Sequence, residues 1–505
     1  MATPDLARQV QEALSTDPET FEAAVRKEVE AVTEAVEAGT FNNPQAIVGM
    51  EHELFGVDDT TDELVRIPRD LLRYVGFTRE LGLHQAETHT SPQSLNRHGL
   101  AAQEAELQAR ITAAERPMRR EGYRLVSAGL TVPSPAGETM SEYLPDTATV
   151  DGIRVAANMS DAVRYHAMSN AGRAGYEPRM ELDAPHVSRQ FDTVIPESLI
   201  CSIQPHFQVA NAEDLPEQFR YALRIAAPVT ALTANSPFFP PDLYDDVPAE
   251  AVIEDSHMEN RIGVFESALN AEDAQKVCFP RDVETCTEAV EHIAADRTIV
   301  PMTVETEGRF DDRWRHLRHK HGSYWRWVRP VFEAPTEKDA NARIEFRPVP
   351  AQPTARDCIG VLALFAGLMA SLPRRAHPLY DLGWEQAREN FYAATRDGLR
   401  AEMEYIDSDG ERTSDAARVY ADLFEHAYDG LEIHRIDRGT AAAYLEPLRR
   451  RVERGVTPAR WTVERARERV ADGASLEEAV HGAHCDYVDR QQRTLVEGSF
   501  VDWLD

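Results

Sequence analysis

The sequence predicts an α+β protein, with short strands spread through residues 45–350 and helices alone after that. Three observations predict it. Apolar runs of strand length, bounded by Gly, Pro and Asp, recur along that region, the clearest at residues 46–57. Between them lie stretches with apolar residues at helical spacing, notably 95–121 and 215–233. From Pro353 to the end the helical spacing is broken only at Pro373, Pro378, residues 407–410, Gly439, Pro447 and Pro458.

In chain order, residues 5–38 read as one or two helices broken near Asp17-Pro18. Phe21, Ala24, Val25, Val29, Val32 and Val36 line one side, with Glu28, Glu30, Glu34 and Glu37 on the other. Gly39 ends that pattern, and the strand at 46–57 follows. A short strand is expected at 65–67, a helix at 69–75, and a strand running into a loop at 81–92. The long helix at 95–121 leads to a strand at 123–132, stopped by Pro133. Residues 133–196 are rich in Gly, Pro and Asp, with a helix near 160–172; so long an irregular region usually covers a site or moves. Residues 199–209 read as a strand, 215–233 as a helix, Asn235-Ser236-Pro237 as a turn and 255–270 as a helix. Short strands are expected at 299–305, 324–328 and 343–349. There is no internal repeat or low-complexity segment, and the organisation reads as 1–44 (helical), 45–375 (mixed) and 376–505 (helical).

A chain of 505 residues with a 42% hydrophobic fraction has room for a large core and for two or three domains. Its charge is the unusual quantity: 86 acidic residues against 54 basic ones give a formal net charge of -32. Only Lys27, Lys276, Lys320 and Lys338 are lysines; the other basic residues are arginines. So acidic a surface repels nucleic-acid phosphates and anionic lipid, and neither is expected as a partner. It strains the compact state at low salt, whereas near 1 M salt the Debye length falls to roughly 3 Å. The composition therefore fits the cytosol of a salt-accumulating halophile. Cys201, Cys278, Cys286, Cys358 and Cys485 form no Cys-x-x-Cys pair, which fits a reducing compartment and argues against a disulfide framework or a zinc site. Asp5 and Arg8 stand where a signal peptide would be apolar, and the apolar run at 359–372 is too short to span a bilayer, so the expectation is a cytoplasmic protein. An oligomer is compatible with the sequence.

The strand at 46–57 carries the first chemistry. Residues two apart on a strand share a face, so Glu51 and Glu53 point the same way. Paired carboxylates either face water or share a cation, and hard cations such as Mg²⁺ and Mn²⁺ prefer carboxylate oxygen. Alone, Glu87 reads as an ordinary surface glutamate, and a lone His206 more often as a structural residue than as a ligand. Glu345, Arg347 and Arg343 share one strand face, which by itself reads as an ionic face paired across strands. Together the carboxylates and the imidazole could hold two divalent cations, with the arginines on phosphate oxygens. That is equipment for phosphoryl transfer from ATP. The chain has no Gly-x-x-x-x-Gly-Lys-[Ser/Thr], no Gly-x-Ser-x-Gly and no His-Glu-x-x-His, so those other chemistries are set aside.

Four segments resemble the glutamate–cysteine ligase family of carboxylate–amine ligases, relatives of glutamine synthetase. They are Gly49-Met50-Glu51-His52-Glu53; Ala86-Glu87-Thr88; Gln204-Pro205-His206-Phe207 with Leu232-Thr233-Ala234-Asn235-Ser236-Pro237-Phe238; and Arg343-Ile344-Glu345-Phe346-Arg347 with Gln352-Pro353-Thr354. Weaker echoes are Arg164-Tyr165, residues 256–261, residues 322–325 and Arg329-Pro330; the order matches over roughly residues 45–372. The resemblance implies a curved, mainly antiparallel sheet with metals on its concave face, helices on the convex side and a helical C-terminal extension. It implies Glu51, His206 and Glu345 on the Mg²⁺ (or Mn²⁺) at the ATP phosphates, and Glu53 and Glu87 on the ion nearer the carboxylate substrate. Arg347 and Arg329 would meet the transferring phosphoryl group, Arg343 with Arg347 would bind ATP, and Arg261, Gln204 and Asn235 would bind substrate. The implied reaction makes an acyl phosphate from a carboxylate and ATP, then an amide from an amine, with glutamate and cysteine as first candidates. Another amine, or a non-catalytic descendant that binds nucleotide, is the alternative. Glu80, His84 and His89 are possible by type as the base that deprotonates the amine. Departures from the family pattern are Gln208, expected to narrow the pocket, Pro205, expected to put its strand at an edge or in a bulge, and Phe238-Phe239-Pro240-Pro241 in place of a glycine-containing loop.

Overall fold

Two helices, α1 (Pro4–Ala13) and α2 (Pro18–Glu37), open the chain in this computed structural model, which describes residues 4–504. They part where Asp17 caps α2 by accepting from the Thr20 N–H, with Pro18 in the first turn, where its missing N–H leaves no bond unmade. The sheet is assembled on β1 (Ile47–Asp58), followed by β2 (Thr78–Arg79), β3 (Gln85–His89) and β4 (Gln93–Ser94). Helix α3 (Arg97–Arg120) leads to β5 (Tyr123–Val126) and β6 (Ile203–Val209), and α4 (Leu215–Thr233) and α5 (Asn260–Leu269) precede β7 (Val328–Glu333) and β8 (Asn341–Phe346). Every pairing is antiparallel, in the order β7-β8-β6-β1-β3-β2, with β4 and β5 also on β1. The sheet curls into a half-barrel.

Alternation divides the two faces. Val48, Met50, Phe207, Val209, Ile344 and Phe346 are buried on one side, under α4 and α6 (Ala355–Ser371). Phe346 stacks on Phe365 of α6 with ring centroids 4.7 Å apart. His52, between the two glutamates of β1, points into this side and meets the Ser127 hydroxyl at 2.8 Å; burial pushes its pKa down to about 4. The opposite side carries the charged residues.

After α6 come α7 (Trp384–Asp397), which packs on α4, α8 (Ala416–Ile433) and α9 (Arg438–Arg454), which pack on α6, and α10 (Pro458–Ala471) and α11 (Leu476–Thr494), which pack on each other. The apolar run at 359–372 forms most of α6, buried among α4, α8 and α9; among the described residues no helix is long and apolar enough to cross a membrane. The crossing of α6 and α8 depends on glycine. A Cβ on Gly430 would sit 1.8 Å from the Gly367 carbonyl oxygen, and one on Gly367 would sit 2.4 Å from the Ala427 carbonyl oxygen. A Cβ on Gly360 would come within 2.8 Å of the Tyr444 carbonyl oxygen on α9.

Several elements differ from the sequence reading. Residues 65–67 form no strand: Val65 and Ile67 donate singly to the Gly56 and Leu83 carbonyls. Residues 299–305 stay irregular because His319 and Arg315 side chains take the Val300 and Val304 carbonyls. The strand expected at 123–132 ends at Val126. The irregular region holds two hairpins, Thr147–Val150 with Ile153–Ala156 and Glu181–Ala184 with Val187–Gln190. Pro205 is not at an edge. Its strand lies between β1 and β8, and the β8 ladder begins one residue later, at His206 opposite Glu345, so no ladder bond is asked of the proline.

Gly430→Ala should destabilise the protein by about 2 kcal/mol or more in urea unfolding, because the clash is with backbone and forces two helices apart. Gly383→Ala, where an added Cβ meets nothing within 4 Å, should stay within about 0.5 kcal/mol.

Candidate active site

Strand register builds the polar face. Glu53 stands opposite Glu87, Glu51 opposite both Gln204 and His89, and Glu345 opposite both His206 and Arg329. Directly paired residues share a face, so five strands bring Glu51, Glu53, Glu87, Gln204, His206, Arg329, Arg343 and Glu345 to one surface. Arg347, just past β8, joins them through Gln204 and Glu345.

Glu345 is the buried centre of this surface. Arg329 Nε donates to its Oε2 at 2.8 Å, and Arg347 pairs with its Oε1. Burial alone would raise this carboxyl, but Arg329, Arg347 and His206 outweigh it and hold the group well below the ordinary carboxylate range. Gln204 links two predicted roles: its carbonyl accepts from Arg347 and its amide donates to Glu53 at 3.0 Å. Arg261, on α5, is buried beneath Arg347, donating to its carbonyl oxygen at 3.1 Å and to Glu259 at 3.2 Å, with its guanidinium 5.3 Å from the Trp327 ring centroid.

At the outer edge Glu51 is 37% exposed, with Oε1 at 3.5 Å from His206 Nε2. Burial pushes the Glu51 carboxyl up, yet the bond and charge of His206 leave it below its usual value. Arg343 Nε donates to His206 Nδ1 at 3.3 Å and its guanidinium pairs with Glu333 at 2.7 Å. His206 can therefore meet an ion through Nε2 only when Arg343 releases Nδ1, which a flexible side chain is free to do. Gln208 donates to the Asn43 and Gln45 carbonyls, fastening the segment before β1 to the sheet rather than projecting across the face.

The other end is acidic. Burial and repulsion from Glu80 push Glu53 up to about 7, despite the Ser202 N–H bonded to it at 2.6 Å. Burial and repulsion from Glu80, Glu51 and Glu53 push Glu87 up to about 9, with one hydrogen bond, from Thr78, at 3.0 Å. Glu80 is raised by burial too, although Arg164 lies close and Tyr165 donates to it at 3.0 Å. Glu197 is raised well above its usual value by burial, Glu80 and Glu53. The irregular region thus supplies this end: a short helix over Val163–Ser169 brings Arg164 and Tyr165, and a turn over Ile195–Leu199 brings Glu197. Glu197 had no sequence signal, since Ile-Pro-Glu-Ser fits no motif.

Two residues stand apart from the face. Asn235 is buried one layer behind, its amide donating to the Ala351 carbonyl at 2.7 Å and to the Tyr487 hydroxyl at 2.9 Å. His84 lies in the core between the Tyr143 hydroxyl and the Ser198 carbonyl, and burial pushes its pKa down to about 4. Of the three residues that fit the base by type, Glu80 and His89 remain at the site.

The donor set fits hard divalent cations: clustered carboxylates whose mutual repulsion lifts their pKa values, beside one imidazole. Among the described residues, no three of these groups bring ligand atoms within 4.8 Å of one another, so gathering round an ion requires side-chain rotation. The one trio that close is elsewhere: His377, Asp422 and His426, among the C-terminal helices. There the backbone N–H of Leu379 donates to His377 Nδ1, which leaves the ring proton on Nε2, facing Asp422 at 2.9 Å. Tyr405 and Ser408 also donate to Asp422. Burial would raise that carboxyl, but these three bonds hold it down to about 2. The cluster is closed by its own hydrogen bonds and ties the Tyr405–Ile406 hairpin to α8.

The family profile of glutamate-cysteine ligase family 2 matches residues 47–488. No curated protein matches the sequence. Among solved structures, a glutamate–cysteine ligase from Francisella tularensis in complex with AMP aligns over 90% of this chain and 91% of its own, at 13% identity and a TM-score of 0.46. A bifunctional glutathione synthetase from Pasteurella multocida aligns over 92% of this chain and 55% of its own, at 12% identity and a TM-score of 0.47. The ligase of the prokaryotic ubiquitin-like protein Pup, solved in complex with Pup, aligns over 88% and 72%, at 11% identity and a TM-score of 0.37.

Glu87 keeps its proton up to about pH 9 in the fold, while an unfolded chain ionises it near 4.5. Its contribution to stability therefore falls as pH rises through that window. Without divalent cations at pH 8, Glu87→Gln should melt about 2 °C or more above the wild type, since glutamine escapes this loss. Added Mg²⁺ should raise the wild-type melting point and move that of the variant far less.

Proposed function

The chain belongs to glutamate-cysteine ligase family 2, which makes it a carboxylate–amine ligase, and we propose that it uses ATP to join the γ-carboxylate of glutamate to the amine of cysteine. The observation that carries this reading is the buried Glu345 with Arg329 and Arg347 on its two oxygens, beside His206, Glu51 and the raised carboxyls of Glu53 and Glu87. Fixed guanidinium charge and a concentrated donor set for cations are what phosphoryl transfer from ATP needs from a protein.

In the first step a γ-carboxylate oxygen of glutamate bonds to the ATP γ-phosphorus as the bond to the bridging oxygen breaks, giving γ-glutamyl phosphate and ADP. Arg347 and Arg329 face the transferring group, and Arg343, once it leaves His206, reaches the ATP phosphates. Arg261 sits behind Arg347 with a guanidinium suited to a substrate carboxylate. Glu51, His206 and Glu345 would hold one Mg²⁺ and Glu53 and Glu87 another; bound there, the ions would neutralise phosphate charge. In the second step the amine nitrogen bonds to the acyl carbon and phosphate leaves. Glu80 suits the amine's proton, because a carboxyl raised by burial is a stronger base than a solvated one. Glu53, Glu80, Glu87 and Glu197 also favour an acceptor that arrives as an ammonium ion. The net charge of -32 supports a working place in a salty cytosol.

Purified protein with Mg²⁺, ATP and glutamate in molar KCl, given one amine at a time, should release ADP with cysteine and yield γ-glutamylcysteine. ADP release with a different amine alone would keep the chemistry and replace the acceptor, and no turnover with any amine would remove the enzymatic reading. Glu51→Gln is the cleaner ligand variant, since Glu345→Gln would leave two buried guanidinium groups short of a partner. It should lower kcat by about 100-fold or more with the melting curve nearly unchanged; full activity in this variant would refute the metal assignment.

A further inference from the structure

A cavity of about 730 Å³ has in its wall Glu266, which accepts from Nε1 of Trp327, the ring beside Arg261. One face of α7 lines it, with Trp384, Arg388 and Tyr392 spaced a turn apart. Arg281 lines it too, its guanidinium 4.0 Å from the Trp384 ring centroid, and that of Arg388 stands 5.0 Å from the Tyr392 ring centroid. The other arginines of the cavity are paired, Arg297 with Asp273 and Arg326 with Asp296. Arg281 and Arg388 are exposed and make no ion pair or hydrogen bond among the described residues, although the chain carries 86 acidic residues to 54 basic ones. A guanidinium stacked on an aromatic ring keeps its N–H edge free for an in-plane oxyanion. Two such guanidinium groups line the one cavity.

We propose that this cavity is a second ligand site, for a compact oxyanion bearing carboxylate or phosphate groups, and that its occupancy is felt at Arg261. The connection runs through Glu266, on the cavity wall. Glu266 Oε1 accepts from Tyr392 at 2.8 Å and from Trp327 Nε1 at 2.8 Å, and Arg388 is among the charges acting on it. The Trp327 ring in turn lies under Arg261, which donates to the Arg347 carbonyl. An anion on Arg388 screens the guanidinium charge that acts on Glu266, and so alters the acceptor that fixes the Trp327 ring. The effect on glutamate rests on the ligase reading; the binding itself does not.

The test titrates citrate and inorganic phosphate separately into the full-length protein by calorimetry at fixed KCl. The proteins compared are the wild type, Glu51→Gln and the double variant Arg281→Gln/Arg388→Gln, each first checked for an unchanged melting curve. One equivalent of at least one anion should bind the wild type and Glu51→Gln alike and bind the double variant at least tenfold more weakly. In turnover, that anion should shift the KM for glutamate by threefold or more in the wild type and leave the double variant unmoved. Equal binding by the double variant, or loss of binding in Glu51→Gln, would overturn the site, the latter by placing the anion on the sheet. Binding that depends on the two arginines but leaves KM unmoved would overturn the link to Arg261. The calorimetry needs no turnover, so it stands even where the ligase reading fails.

Discussion

The register of β1 against β6 and β3 is the constraint on which the rest depends. With a side-chain period of two, a slip of one residue would turn Glu51, Glu53, His206 and Glu345 toward α4 and α6 and expose Val48, Met50, Phe207 and Ile344. An uncompensated charge moved into such a core costs several kcal/mol or forces neutralisation. The alternative registers are therefore excluded by the apolar face, and the polar face inherits its geometry from that exclusion. Residues with no contact to any substrate, such as Phe346 stacked on Phe365, decide where Glu345 points.

Within that fixed face the electrostatics divide. Glu345 has two arginines and an ordinary charged state, whereas Glu53, Glu80, Glu87 and Glu197 have too few cations for their number. A fold selected for stability alone would not gather four carboxylates at one end of a cleft and leave them raised. The imbalance has a direction: it is relieved by positive charge arriving from outside the chain, as metal ions or as an ammonium group. The same imbalance sorts the residues suited to proton transfer, because burial that raises the Glu80 carboxyl pushes His84 down and away from use.

The sequence made the sheet's polar face legible because strand alternation and short ordered motifs are local signals. Glu51 with Glu53, and Glu345 with Arg347, were readable as shared faces without knowledge of what lay beside them. What pairs with what was not readable: that Gln204 bridges Arg347 and Glu53, or that Arg343 holds His206, depends on strand order. Glu197 comes from the Gly- and Pro-rich region, where a short turn carries no periodicity to read, and although Tyr165 lies in the expected helix, its bond to Glu80 did not follow from the sequence. Pro205 lies inside the sheet, where the register slips by one residue, His206 facing Glu345 but Ser202 facing Pro350, so of the two expectations the bulge holds and the edge does not. A missing N–H argues for an edge only where the ladder would use that donor, and here the β8 ladder begins at the next residue. Residues 299–305 look strand-like in composition, but their carbonyls are satisfied by His319 and Arg315 side chains, a contact between segments that composition does not encode.

The helices behind the sheet bear on function through stiffness. Glycines at positions 360, 367 and 430 let α6 approach α8 and α9 at backbone distance, and close-packed interiors transmit displacement rather than absorb it. The strands that α6 backs carry His206 and Glu345 on their other face, so errors in their placement are limited by that close packing. The acidic end lacks such backing, since a two-turn helix and a short turn present Arg164, Tyr165 and Glu197. On the proposed reading, strands set the half of the cleft assigned to phosphoryl transfer, and a short helix and a turn set the half assigned to the acceptor. The chemistry is thereby more tightly determined by the fold than the identity of the amine, because the second half can change its side chains without disturbing the register of the first.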